Sequence, residues 1–438
     1  MVNHTIKGSI ITKNEYLQHH EIVINDSDIQ SIAALDKIPE SNGKETLILP
    51  GFRDQHIHDW VGQTMAETHT EEELVERFGI VMQSLARDGV TGVYLATFGG
   101  PLEILERYCN AARKWMEHPD NGRSGAKLLG LHIEGTFLNV ECRGAQPAEY
   151  CLIPQKDDCI SALDRLYDTG SVKIINIVPD YGEPSLKLIR HASDMGLIVG
   201  AGHTKSTGEL IRKAYEESGL KFMVHFTNGP TGQSFKPFDD GGAFEGAMDS
   251  PIHKELIVDR KHIDERYLLD IMRRTEQRWG FDKIIAVTDA LFPNQQDIPE
   301  GEFKIGSTIA SRDVTGNYLS AVAYMDQDGS RMASPSNTLC SSLLSMDHAF
   351  GNLVSIQTHP VQGLWFDHPA MPPEIAFVRA AKLCATHQAM LDDNCHDAGS
   401  IKVGKKADLV VGSIKKKGDE YSFKVKETYV EGVKVFGA

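Results

Sequence analysis

The stretch PGFRDQHIH, residues 50–58, ends in two histidines at alternating positions, His56 and His58. On an extended backbone, residues i and i+2 face the same side, so both imidazoles can reach one metal ion. Further along, Glu134, His203, His225 and Asp289 each stand at or near the end of an apolar run. A single histidine in such a run is more often a hydrogen-bonded core residue than a ligand. Six such groups at corresponding positions point instead to one shared site. Four imidazoles with carboxylates suit Zn²⁺, Fe²⁺, Mn²⁺ or Co²⁺, whereas Mg²⁺ and Ca²⁺ prefer all-oxygen shells.

Groups this far apart in sequence meet only if a scaffold brings the ends of their runs together. From residue 47 onward, short apolar runs alternate with longer helical patterns, the mark of βα units around a parallel sheet. The runs are LILPGF (47–52), VTGVYLATF (90–98), KLLGLHIEG (127–135), KIINIVPD (173–180), LIVGAGHT (197–204), KFMVHFTN (221–228), ELIVD (255–259) and KIIAVTDA (283–290). They are apolar almost throughout, as expected for strands covered on both faces. Thr70 and Glu73 form a capping-box pattern, with Leu74, Phe78, Val81, Met82 and Leu85 following at helical spacing. Eight such strands predict a TIM (β/α)8 barrel, whose active site lies at the carboxyl ends of the strands. His56, His58, Glu134, His203, His225 and Asp289 all fall there. For Asp289 alone, a helix N-cap after the eighth strand is the competing reading.

Both chain ends read as short strands, among them SIITKNEYL and HEIVIND at the start and ADLVVGSIKKKG and YSFKVKETYV at the end. The chain therefore leaves a small β-sandwich domain and returns to it, giving segments 1–48 and 396–438 around a barrel over 49–395. Between 291 and 372 the pattern weakens into Gly-, Ser- and Pro-containing stretches, which are expected to be long loops serving as lids or binding elements.

The chain has 438 residues, 41% of them hydrophobic, enough for a large barrel with a small second domain. A formal net charge of −16 argues against nucleic acid or an anionic membrane surface as partner. No run approaches the ~18 apolar residues of a membrane span, and the start carries no signal-peptide pattern, so a cytoplasmic protein is expected. Seven scattered cysteines without a Cys-x-x-Cys pair read as reduced, structural thiols.

In order and spacing these groups resemble the amidohydrolase superfamily. Longer blocks resemble its N-acetylglucosamine-6-phosphate deacetylase branch: PGFRDQHIH, LGLHIEGTFLN, GAGHTKST, VHFTNG, IVDRKHID, AVTDA and GSIKVGKKADLVV. The resemblance implies Glu134, His203 and His225 as indispensable metal ligands. It implies His56 and His58 as a second pair, and hence two ions per chain, zinc favoured, bridged by Glu134. It assigns Asp289 as the acid/base group, and Asn228, Gly229, His262, Gln146 and Arg143 as positions around the substrate. The implied partner is a small N-acetylated amino sugar, and the implied assembly a homodimer. His132, two residues before Glu134 on the same strand face, is expected to orient a ligand.

The chain departs from the branch where a sugar phosphate would be bound. Gln146 stands where the family has a histidine after strand three, and Asp239 and Asp240 stand where it has an arginine after strand six. Carboxylates there repel a phosphate dianion, although Arg143, Lys236, Arg260 or Lys261 could compensate. The leading expectation is removal of the acetyl group from an N-acetyl hexosamine, with or without a 6-phosphate. An amidohydrolase for another amide, such as an N-acyl amino acid, is the second reading, and a silent sugar-binding paralogue the third.

Overall fold

A computed structural model describes residues 3–35, 46–228, 241–313, 315–325, 329–334, 339–393 and 395–437. Eight parallel strands form the central sheet in sequence order: Phe52–His58, Val90–Thr97, Lys127–Phe137, Val172–Ile177, Ile198–Ala201, Leu220–Met223, His253–Ile257 and Ile284–Val287. Asp289 N–H donates to the His56 carbonyl at 2.8 Å and His58 N–H to the Ala290 carbonyl at 2.7 Å, which join the first strand to the end of the eighth. The ring thus closes at the candidate site, as a TIM barrel.

Strand and helix packing follow from the sequence pattern. Leu131, Ile133, Ile175 and Leu256 face outward onto helices, while Ile174, Phe222, Ile257 and Ile285 form a separate cluster on the alternate face. Glu71–Arg87 has the expected capping box from Thr70 and Glu73 and buries Leu74, Phe78, Val81, Met82 and Leu85 against the barrel.

One boundary differs from the expectation. The run 47–52 supplies the strand Thr46–Pro50 of another sheet, and the first barrel strand begins at Phe52. FRDQHIH is polar, yet all seven residues are buried, and Asp54, Gln55 and His56 Nδ1 find partners inside the barrel in Thr288 and Glu255. Hydropathy alone therefore assigns the apolar run to the wrong sheet. The register of this strand shifts between Asp54 and Ile57, a local irregularity that turns both Gln55 and His56 toward Glu255.

The chain ends build one hydrogen-bonded ladder of seven strands, ordered Val433–Phe436, Glu420–Val430, Leu409–Lys417, Thr46–Pro50, Asn3–Ile11, Tyr16–Asn25 and Asp28–Ala34. Its own core contains Ile10, Ile22, Ile24, Ile48 and Leu409.

The segment after the eighth barrel strand is more regular than expected. Glu302–Ile305, Thr308–Arg312, Tyr318–Met325, Arg331–Ala333 and Leu339–Ser342 form an antiparallel sheet, followed by the helix Met346–Thr358. These strands are short and bury alternate residues, as in Tyr318–Met325, so they lack the continuous apolar runs that mark the barrel strands. No helix among the described residues is long and apolar enough to cross a membrane.

Candidate active site

Five barrel strands deliver the chemistry. His56 and His58 end the first strand and Glu134 lies in the third, while His203, His225 and Asp289 each stand two residues past strands five, six and eight. These last three have positive φ, 57°, 28° and 47°, a conformation costly for residues with a Cβ and characteristic of functional sites. No helix begins at Asp289, so the N-cap reading fails. Its peptide is instead held by the inserted sheet: Ser342 N–H and the Ser341 hydroxyl donate to its carbonyl at 3.1 and 2.7 Å.

The side chains converge on the Glu134 carboxylate. Oε1 lies 2.8 Å from His225 Nε2, 3.0 Å from His203 Nε2 and 3.6 Å from His56 Nε2, and Oε2 lies 3.5 Å from His58 Nε2. Asp289 Oδ1 lies 3.5 Å from His56 Nε2 and 3.4 Å from His58 Nε2. Two overlapping groups could each hold one cation, His56, His58 and Asp289, and His56, Glu134 and His225. His56 Nε2 is fully enclosed with no hydrogen-bond partner. Such an orphan, aimed between two carboxylates, fits a ligand atom for an ion of the imidazole-binding kind.

Charge balance gives the same indication. Burial disfavours a charged His56, but Asp289, Glu134 and Glu255 outweigh it and push its pKa up to about 10. Burial likewise opposes ionisation of Asp289, yet the facing imidazoles bring it down to about 2. Despite burial, hydrogen bonds from His203 and His225 hold Glu134 well below the usual carboxylate range. The carboxylates of Glu134, Glu255 and Asp289 thus favour positive charge at this cluster, which a divalent cation can supply.

Supporting residues that the motif reading missed surround this cluster. Glu255, in the seventh strand, accepts from Gln55 Nε2 at 2.5 Å, from His56 Nδ1 at 3.2 Å and from His225 N–H at 3.0 Å. Asn176, in the fourth strand, bridges the Glu134 carbonyl and the Gly202 N–H. The available signal was a polar residue inside an apolar run, ELIVD and KIINIV. His132 bonds the Gln55 carbonyl at 3.2 Å and packs edge-on against His56 at 4.8 Å. Burial and the neighbouring His56 push its pKa down to about 3, so it is a neutral ring.

A cavity of about 460 Å³ opens above the cluster, walled by Phe98, Asn228, His262, Leu339 and Cys340 among others. Gln146 reaches the floor, where it donates to Glu134 Oε2 at 2.5 Å and accepts from Gly99 N–H at 2.9 Å. His262 is fixed by Asp259 at 2.7 Å. Arg143 is outside the wall and bonds the Val140 carbonyl of its own turn at 3.3 Å. Arg260 is held by Glu265 and Glu420, Lys261 sits over the Tyr318 ring and Lys205 pairs with Glu141. No lysine or arginine among the described residues lines the cavity. Gly229, Lys236, Asp239 and Asp240 lie outside the described residues.

A parallel eight-stranded barrel with imidazoles and carboxylates gathered at the carboxyl ends of its strands has the architecture of the amidohydrolase superfamily of hydrolases. Comparison with known proteins narrows this. No protein-family model matches the chain. It is 25% identical over 415 residues to an N-acetylglucosamine-6-phosphate deacetylase of Bacillus subtilis, covering 92% of this chain and 91% of the relative. It is 24% identical over 405 residues to an N-acetylgalactosamine-6-phosphate deacetylase of Escherichia coli O157:H7, covering 92% of each. The solved N-acetylglucosamine-6-phosphate deacetylase of Pasteurella multocida superposes with a TM-score of 0.74 at 21% identity, over 99% of both chains. The resemblance carried by the motifs is thus the one these comparisons return.

Proposed function

We propose that the chain hydrolyses the acetamide of an N-acetyl hexosamine, 6-phosphorylated forms included, releasing acetate and the free amine. The observation that carries this reading is the position of Asp289 Oδ1, 3.5 and 3.4 Å from His56 and His58 Nε2 at the cavity floor, beside Glu134. Glu134, His203 and His225 are the residues for one divalent ion, and His56, His58 and Asp289 for a second, with zinc favoured by the imidazole-rich set. When bound, such an ion supplies Lewis acidity, polarising the amide carbonyl and acidifying water.

The protein's own groups do the rest. Asp289, ionised and held by the neighbouring imidazoles, takes a proton from the attacking water at Oδ1 and returns it to the departing nitrogen. Its strained backbone is pinned by Ser341 and Ser342, so the carboxylate is aimed before substrate arrives. Asn228 and His262 offer hydrogen-bonding groups to sugar hydroxyls from the wall. Arg143 has no assigned contact in this reading, since it points into its own turn.

The test is acetate release from metal-loaded protein given N-acetylglucosamine and N-acetylgalactosamine, each with and without a 6-phosphate. Turnover of at least one is expected, and silence with all four at full metal occupancy overturns the reading. The ratio of kcat/KM within each pair reports how the cavity treats the phosphate. A homodimer belongs to the same proposal, checked by light scattering.

A further inference from the structure

Glu255 is a fully buried carboxylate in an apolar strand, with no lysine or arginine partner among the described residues. Burying a carboxylate is costly, and a leucine would fill the same space without that cost. What distinguishes Glu255 is its reach. Its Oε1 accepts from Gln55 Nε2 in the first strand, while Oε2 receives both His56 Nδ1 and the backbone N–H of His225 beyond the sixth. One carboxylate on strand seven therefore grips the two halves of the ligand set. With Nδ1–H donated to Oε2, the neutral form of His56 that a metal ion selects presents its lone pair at Nε2, the orphan atom that faces Glu134 and Asp289. The same oxygen pins the His225 peptide at its positive φ, and His225 Nε2 then lies 2.8 Å from Glu134.

We infer that Glu255 is a positioning residue, which fixes the tautomer of His56 and locks the His56 and His225 ligand groups to each other, so that its charge sets the divalent-ion affinity of the site. The inference rests on the proposal that these histidines hold a metal ion. Outer carboxylates of this kind typically change metal affinity by about 10–100-fold when removed. A neutral residue of the same shape should therefore preserve the fold but loosen the ion.

The experiment is divalent-ion binding by Glu255→Gln, with Zn²⁺ in competition with a chelating dye and with Co²⁺ followed by its d–d absorption, neither of which needs a substrate. The expected result is an affinity about 10–100-fold below that of the unaltered protein and an altered Co²⁺ spectrum, with the thermal midpoint of the metal-free protein retained. In a His56→Asn background the loss should shrink to the part carried through the His225 peptide, since the bond to His56 is then absent with or without Glu255. Should Glu255→Gln fail to fold, Gln55→Leu releases only Oε1 and should weaken binding by several-fold. Equal affinity and an unchanged Co²⁺ spectrum in the variant overturn the inference. If the unaltered protein itself binds no divalent ion, it is the metal-site proposal that falls.

Discussion

The floor and the outer wall of the cavity are held on different terms. On the floor, His56, His58, Glu134 and His225 are almost fully enclosed, carried on barrel strands or just beyond their ends and braced by Glu255, Asn176 and Gln146. The wall is made by the turn around Cys142, by Asn228 and His262, and by the inserted strand Leu339–Ser342. Its cations pair with nearby carboxylates, a carbonyl or a ring, and none among the described residues lines the cavity. In the proposed reading the chemistry is carried at the strand ends and substrate recognition by the loops above them, a division that barrel enzymes exploit.

If the floor alone carries the chemistry, its acid/base group should show the largest effect. Asp289→Asn is expected to lower kcat about 10³-fold while sugar binding, read by calorimetry, changes little. A loss below tenfold breaks the assignment. Next, the two ligand groups should differ from each other. Replacing His225 by Asn should remove the ion held with Glu134 and His203 and turnover with it, whereas replacing both His56 and His58 should remove the second ion, each lowering the ion content from two to one per chain, as read by elemental analysis. One ion in the unaltered protein would remove the second site from the account.

The wall should respond differently. Asn228→Ala or His262→Ala is expected to raise KM about tenfold with kcat within threefold, and the reverse pattern would move these residues to the floor. The seam between the regions gives a smaller effect. Ser342 donates its hydroxyl to the buried Thr288 carbonyl at 2.5 Å, and Ser342→Ala should cost about 1–3 kcal/mol in urea unfolding.

The smallest effect concerns regions outside the cavity. Burial pushes the pKa of both His253 and His387 down to about 4, and their Nδ1 atoms meet the Lys221 and Ile284 carbonyls. The unfolded chain, with pKa near ~6.5, binds these protons first as pH falls. Their contribution is therefore full above about pH 6.5 and is lost towards pH 4. His387→Gln should flatten the fall in Tm across that window by a few degrees, whatever its effect at neutral pH.

The floor was legible in the sequence because barrel strands leave two kinds of trace. Continuous apolar runs mark strands covered on both faces, and a polar residue at the carboxyl end of each run is conspicuous against them. Glu255, Gln55 and Asn176 were harder to see, since their roles depend on which face of a strand points inward, and a register irregularity near Gln55 disturbs that count. The inserted sheet was read as loops, because its short alternating strands resemble surface segments. Arg143 follows from the same limit: its position in sequence is that of a wall residue, but a local turn directs its side chain to Val140.

The most direct test of the account is acetate release from N-acetylglucosamine 6-phosphate and its unphosphorylated form, before metal removal, after chelation and after restoring Zn²⁺. The account predicts turnover of at least one substrate, its loss on chelation and its recovery with metal. Deacetylation that persists in metal-free protein, or that Asp289→Asn leaves unchanged, would contradict it.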